Sequence, residues 1–199
     1  ETSLNNIPMV IARTGWSGEL SYELYLQDRK KGDELFEIVH EAAKEFNGAV
    51  IAPNTIRTIE GGLLSYQSDF GREHNPFTIG LDRLVDLDQD IDFIGKEALR
   101  KIKSEGISEK LVGVEIDGDP IQKVPENFWP VFDENHKKIG RLSRCFFSPR
   151  LKKNIGLAII DINFVKPGTP IVIESPKAHL NAQVHELPWF PAEKSTNLD

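Results

Sequence analysis

The chain has 199 residues, 39% hydrophobic and 28% charged, with a formal net charge of -7, the make-up of a globular protein of one large or two small domains with a real core. An acidic surface repels a phosphate backbone, so nucleic acid is not an expected partner. Cys145 stands alone and no apolar run nears bilayer length, which excludes an internal disulfide framework, a cysteine metal site and a membrane-spanning helix, and points to a reducing cytoplasm.

In chain order, Met9 to Arg13 and Ser21 to Leu26 read as two strands of a hairpin, separated by a loop containing Gly15 and Gly18. Strand alternation puts Tyr22, Leu24 and Leu26 on one face and Ser21, Glu23 and Tyr25 on the other. From Lys30 to Phe46, Leu35, Phe36, Val39, Ala42, Ala43 and Phe46 follow helical spacing, and Asn47-Gly48 stops the helix. A short apolar segment, Ala49 to Ala52, leads to Pro53, which suits the first turn of a second helix running through Ile56, Ile59, Leu63 and Leu64. Its Gly61-Gly62 pair costs helix propensity of roughly 1 kcal/mol per glycine, so close packing is expected there.

Asp69 to Pro76 is polar and loop-like, and the acidic stretch Asp82 to Asp92 suits a boundary between structural units. A short helix follows, from Gly95 to Lys103. The remaining runs, Leu111 to Ile116, Val131 to Phe132, Lys138 to Ser143, Ile155 to Asp161, Pro170 to Glu174 and Ala178 to His185, are short and separated by turn residues. They suggest a small antiparallel barrel or sandwich, so the class is α+β. The polar tail from Glu193 to Asp199 is expected to fray. The opening residues read as the middle of a longer protein.

Four segments, in order, resemble the glycine-cleavage T-protein (aminomethyltransferase) family. They are Ala12-Arg13-Thr14-Gly15-Trp16-Ser17-Gly18-Glu19 with Tyr22-Glu23-Leu24; Ile59-Glu60-Gly61-Gly62-Leu63-Leu64-Ser65-Tyr66; Asp92-Phe93-Ile94-Gly95-Lys96-Glu97-Ala98-Leu99; and Ser148-Pro149-Arg150-Leu151-Lys152-Lys153-Asn154-Ile155-Gly156-Leu157-Ala158. The resemblance implies the back part of a three-domain, folate-binding cloverleaf over residues 1–84 and a C-terminal antiparallel β-barrel domain over 85–199. It implies tetrahydrofolate as cofactor and a folate-dependent one-carbon transferase as activity. The family's important aspartate belongs to an N-terminal half that this chain lacks, so the catalytic residues are expected upstream and that half is an expected partner, beside a small-molecule methyl donor.

A pterin presents an N3–H and a 2-amino group side by side, a donor edge that one carboxylate can accept. The resemblance assigns that role to Glu23, which without the motif reads as a solvent-facing strand glutamate. Tyr25, on the same strand face, is placed to pack on the folate, and Trp16 in the turn to wall it. Tyr66 and Glu60 match family positions and also suit helix packing. Asn54 replaces the family's folate-contacting arginine; it can donate hydrogen bonds but not pair ionically. Lys152-Lys153 reads equally as an exposed basic turn or as a site attracting a polyglutamate tail.

Pro53-Asn54, Gly15-Trp16, Tyr22-Glu23-Leu24-Tyr25, Leu63-Leu64-Ser65-Tyr66 and Asn75-Pro76-Phe77 with Gly80-Leu81-Asp82 look like the dimethylsulfoniopropionate demethylase branch of the superfamily. Thr14, Ser17-Gly18-Glu19 and Arg57 depart from that branch, which leaves open a sister enzyme with another small donor, such as a methylamine. A sulfonium is a good leaving group, so methyl transfer from it needs alignment and exclusion of water more than acid, base or metal. The alternatives are an aminomethyltransferase of the glycine cleavage system, a noncatalytic folate-binding relative, and the folate module of a flavin-dependent dimethylglycine or sarcosine dehydrogenase. His40, His74, His136, His179 and His185 show no zinc-like spacing with Cys145.

Overall fold

The computed structural model describes residues 2–52 and 54–190. These residues form two compact units, 2–57 and Thr58–Phe190. The expectations for Pro53 and for Glu193 to Asp199 lie outside the described residues.

In the first unit, β1 (Thr2–Leu4), β2 (Ile7–Ala12) and β3 (Glu23–Leu26) form an antiparallel sheet in that order. The β2–β3 hairpin was legible, with Met9 opposite Leu26 and Ala12 opposite Glu23. The added strand β1 enters through Asn5 and Asn6, both at positive φ (48° and 64°), a conformation that asparagine tolerates and that matches the strands' twist. Helix α1 (Gly32–Lys44) follows a single 3-10 turn capped by Asp28. It buries Leu35 and half-buries Ile38 against Ile7, Met9 and Leu26. Phe36, Val39 and Phe46, expected on the core side, are exposed instead, Phe46 by 82%. Three short strands cover only a narrow strip of the helix, so the rest of its apolar arc has nothing to bury against within this unit.

Helix α2 (Thr55–Glu60) is shorter than expected. The glycine pair ends it: Gly62 adopts φ 63°, while its N–H donates to the Ile59 carbonyl (3.0 Å) and that of Leu63 to Thr58 (2.8 Å). Two carbonyls of the last turn are thereby satisfied by a left-handed glycine cap, so Leu63 and Leu64 lie beyond the helix.

In the second unit, α3 (Lys96–Glu105) precedes six strands. These are β4 (Glu109–Ile116), β5 (Trp129–Phe132), β6 (Lys138–Ser148), β7 (Lys153–Asp161), β8 (Pro170–Glu174) and β9 (His179–His185). They close into an antiparallel barrel in the order β4-β7-β6-β5-β8-β9. Pairing of β4 with β9, Gly113 opposite His185, decides for a barrel over a sandwich and removes the sheet edges. Its core includes Val114, Val131, Leu142, Cys145, Ile160, Ile173 and Val184.

β7 reads as a nearly unbroken apolar run because both its faces are covered. Ala158 and Ile160 point into the barrel, whereas Ile155 and Leu157 pack outside it with Ile59, Leu64, Leu187 and Trp189. Gly140 on β6 is a close approach: a Cβ there would lie 2.2 Å from the Ile159 carbonyl oxygen. Between Leu142 and Arg144 the β6–β7 register shifts by a bulge. Leu142 and Cys145 therefore both face the core, and Arg144 is turned out of it.

Candidate functional site

The strand β3 places Glu23 and Tyr25 on one face, as alternation requires, and the opposite face of the sheet is the one packed on α1. The two side chains meet: the Tyr25 hydroxyl donates to Glu23 Oε2 at 3.2 Å. Thr14, at the start of the preceding loop, also donates its hydroxyl to that oxygen. Glu23 is exposed, and Tyr25 is 54% exposed. One carboxylate oxygen is thus held by two hydroxyls, while Oε1 can accept from an incoming N–H donor. Tyr25 orients the acid through its hydroxyl as well as offering a ring face.

The loop before β3 is cross-tied by Ser21, whose hydroxyl donates to the Thr14 carbonyl at 3.2 Å. It encloses a cavity of about 20 Å³, lined by Arg13, Thr14 and Glu19 among others, which is the size of one water. An organic ligand therefore meets the exposed strand face rather than the loop interior. Trp16 is 57% exposed on this loop, free to wall such a ligand. Asn54 is engaged locally: its Oδ1 accepts from the N–H groups of Ile56 (2.9 Å) and Arg57 (3.3 Å). It is the N-cap of α2, and its amide N–H groups remain the donors it can offer. Arg57, one turn on, reaches Glu19 Oε1 at 3.2 Å and ties this helix to the hairpin loop.

Tyr66 lies in the second unit, half exposed, with its ring edge-on to Phe70 at 5.7 Å. Its loop is pinned by Asp69, which opens a polar stretch of the sequence but is fully buried. Asp69 Oδ1 accepts from Arg144 Nε (2.8 Å) and Ser143 Oγ (2.7 Å), and Oδ2 from the second Arg144 nitrogen (2.6 Å) and Ser65 N–H (2.7 Å). Arg144 also donates to the Leu63 carbonyl at 2.9 Å and to Thr58 Oγ1 at 3.0 Å. The β6 bulge makes this possible, because it turns the guanidinium toward the loop that carries Tyr66. Glu60 is buried as well, accepting from Ser148 Oγ at 2.6 Å with Arg150 3.6 Å away. It fastens the end of α2 to β6.

Residues 1–89 match the family model described as GCVT N-terminal domain, and residues 109–191 match that of the glycine cleavage T-protein C-terminal barrel domain. The chain belongs to the glycine cleavage T-protein family. Its relatives include an aminomethyltransferase of Geobacillus, 34% identical over 98% of this chain and 52% of the relative. An aminomethyltransferase of Thermoanaerobacter pseudethanolicus is 38% identical over 84% of this chain and 44% of its own length. The dimethylsulfoniopropionate demethylase of Ruegeria pomeroyi is 28% identical over 94% of this chain and 50% of its own. The crystal structure of glycine cleavage system aminomethyltransferase T from Bartonella henselae superposes with a TM-score of 0.80 at 21% identity, covering 92% of this chain and 50% of that one. It shares the fold. The chain spans about half the length of the curated relatives it matches.

For a T-protein family chain, two features escaped the sequence reading. Thr14 sits in the family-like Arg-Thr-Gly run, and a hydroxyl beside a tight glycine turn was the available signal. The Asp69–Arg144 pair, 75 residues apart, left none. Lys153, considered for a polyglutamate tail, is paired with Glu115 at 2.6 Å. No helix among the described residues is long and apolar enough to cross a membrane.

Cys145 is a core thiol of this barrel. Fully buried, it is pushed by desolvation from its ordinary 9.0 up to about 12, so the reactive thiolate is absent at neutral pH. A thiol-alkylating reagent is expected to leave the native protein unlabelled and to label it stoichiometrically in denaturant. Labelling of the folded protein within minutes at neutral pH would contradict this placement. Because the folded value is raised, the associated stability is complete below pH 9 and is lost as pH climbs from 9 toward about 12.

Proposed function

We propose that this chain supplies the folate-gripping face and the C-terminal barrel of a cytoplasmic, tetrahydrofolate-dependent one-carbon transferase. The boundary between its two domains falls near residue 84, and an N-terminal half carries the residues that act on the donor. The observation that supports the reading most is the Glu23 carboxylate, oriented by Thr14 and Tyr25 on an exposed strand face in a chain of this family.

These residues fit the cofactor. Glu23 offers an acceptor to the paired N–H edge of a pterin, Trp16 and Tyr25 offer exposed aromatic surface, and Asn54 offers an amide donor. When bound, tetrahydrofolate supplies the nucleophilic nitrogen that accepts the one-carbon unit. What this chain does is orient that nitrogen and help exclude water, a contribution of several kcal/mol in well-aligned transfers.

The higher identity to aminomethyltransferases than to the demethylase supports an aminomethyl donor, carried by a lipoylated protein, over the sulfonium donor that the motifs of the sequence favour. One observation keeps the second reading: Asn54 caps α2 where an arginine is expected of an aminomethyltransferase. The full-length protein is to be assayed with tetrahydrofolate and each donor in turn. Methylenetetrahydrofolate and ammonia from the aminomethylated carrier are expected. Methyltetrahydrofolate and methylthiopropionate from dimethylsulfoniopropionate would establish the demethylase reading instead. No one-carbon product from either donor, despite bound folate, would overturn the transferase reading.

A further inference from the structure

The second unit carries a larger concavity that the folate reading does not use. Residues 117–128, linking β4 to β5, and the Glu174–Ala178 turn between β8 and β9 border a cavity of about 860 Å³. Space on that scale accommodates an organic molecule rather than a few waters.

Its walls are built. Asn154, buried on β7, donates to the carbonyls of Ile116 (3.3 Å), Gly118 (3.3 Å) and Asp119 (3.0 Å) and accepts from Ile121 N–H (2.8 Å). One side chain therefore fixes the first part of this wall, from Ile116 to Ile121. The opposite turn is closed by Ser175, whose N–H and hydroxyl both reach the Ala178 carbonyl, at 2.9 and 2.7 Å. A cleft with walls set in this way loses little ordering entropy on binding.

Its chemistry is that of a cation site. Phe128 and Trp129 line it, and Phe128 is 47% exposed. The Arg141 guanidinium stands 4.9 Å from the Phe128 ring centroid and 3.6 Å from Glu73, so one side of this π-system already holds a paired cation and a ligand meets the part of the ring that lines the cleft. Among the lining groups Lys123 is neutralised by Glu126 at 2.6 Å. The carboxylates of Asp117, Asp119 and Glu174 have no side-chain partner among the described residues, and Lys177 alone opposes them. Apolar walls around a net negative field select a cation whose charge is dressed in carbon, because bare metal ions stay hydrated there and neutral molecules forgo the electrostatic term.

We propose that this cleft, between residues 117–128 and the β8–β9 turn of the barrel, binds a small alkylammonium compound. The charge faces Asp119 and Glu174, and the alkyl groups lie against Phe128 and Trp129.

Choline is the probe, titrated into the full-length protein by calorimetry and by following the Trp129 indole N–H resonance. Its control is dimethylbutanol, in which carbon replaces the quaternary nitrogen. Choline is expected to bind, and the uncharged isostere about tenfold more weakly or not at all. The D119N/E174Q double variant is expected to lose about tenfold in choline affinity with an unchanged melting temperature, since neither carboxylate has a side-chain partner among the described residues. Phe128→Leu provides a second arm and is expected to weaken choline severalfold while leaving folding intact. Equal affinity for the isostere, undiminished binding by the double variant, or no choline binding at millimolar concentration would each overturn the proposal. Folate titration in parallel keeps this outcome separate from that of the Glu23 site.

Discussion

Glu23→Gln is expected to weaken tetrahydrofolate binding to the full-length protein by about a hundredfold, roughly 3 kcal/mol. The substitution keeps the shape of the side chain but replaces a charge-assisted acceptor with an amide, and the amide nitrogen then faces a donor edge with another donor. Tyr25→Phe separates positioning from contact. It removes the hydroxyl that holds Glu23 Oε2 while leaving the acid, so a loss of only about three- to fivefold is expected, consistent with one neutral hydrogen bond. Isothermal titration of both variants checks the pair. An affinity for Glu23→Gln within threefold of the parent protein would remove this carboxylate from the site.

The second large effect is on stability. Asp69→Ala is expected to cost about 3–5 kcal/mol, because it strands the Arg144 guanidinium and the Ser143 hydroxyl in a buried setting without their shared acceptor. That is a large share of the roughly 5–15 kcal/mol that keeps a domain folded. The urea midpoint should fall accordingly with little change in slope. An Asp69→Leu, Arg144→Met double variant is expected to recover part of the loss, since removing both charges costs less than orphaning one. A drop below about 1 kcal/mol for Asp69→Ala would mean that water reaches Arg144 and that the pair does not pin the Tyr66 loop.

Much of this architecture could be read from residue order. Period-two alternation in Tyr22 to Leu26 put Glu23 and Tyr25 on a common face, and the structure joins them by a hydrogen bond. Short apolar runs between turn residues announced an all-antiparallel C-terminal half, now six strands in a closed barrel. The failures have particular causes. Helical periodicity in Ile59, Leu63 and Leu64 predicts a helix through Gly61-Gly62, whereas the left-handed Gly62 ends the helix and turns Leu64 onto the outside of the barrel. Phe36, Val39 and Phe46 were placed in a core by period alone. Amphipathicity says which residues want burial, and only a neighbouring surface says which obtain it.

Local signals, which act over a few residues, sufficed for the class of the fold, the hairpin and the common face of Glu23 and Tyr25, whereas the folate roles of Glu23 and Asn54 come from the family resemblance. Such signals reach no further than a turn or a strand, because they arise from backbone sterics and side-chain period. Closure of the barrel through β4 and β9, the bulge that turns Arg144 outward, and the union of Asp69 with Arg144 join residues distant in the chain. The first is settled by backbone pairing over an apolar core and the last by a buried charge finding its partner, and both choices exist only in the folded molecule.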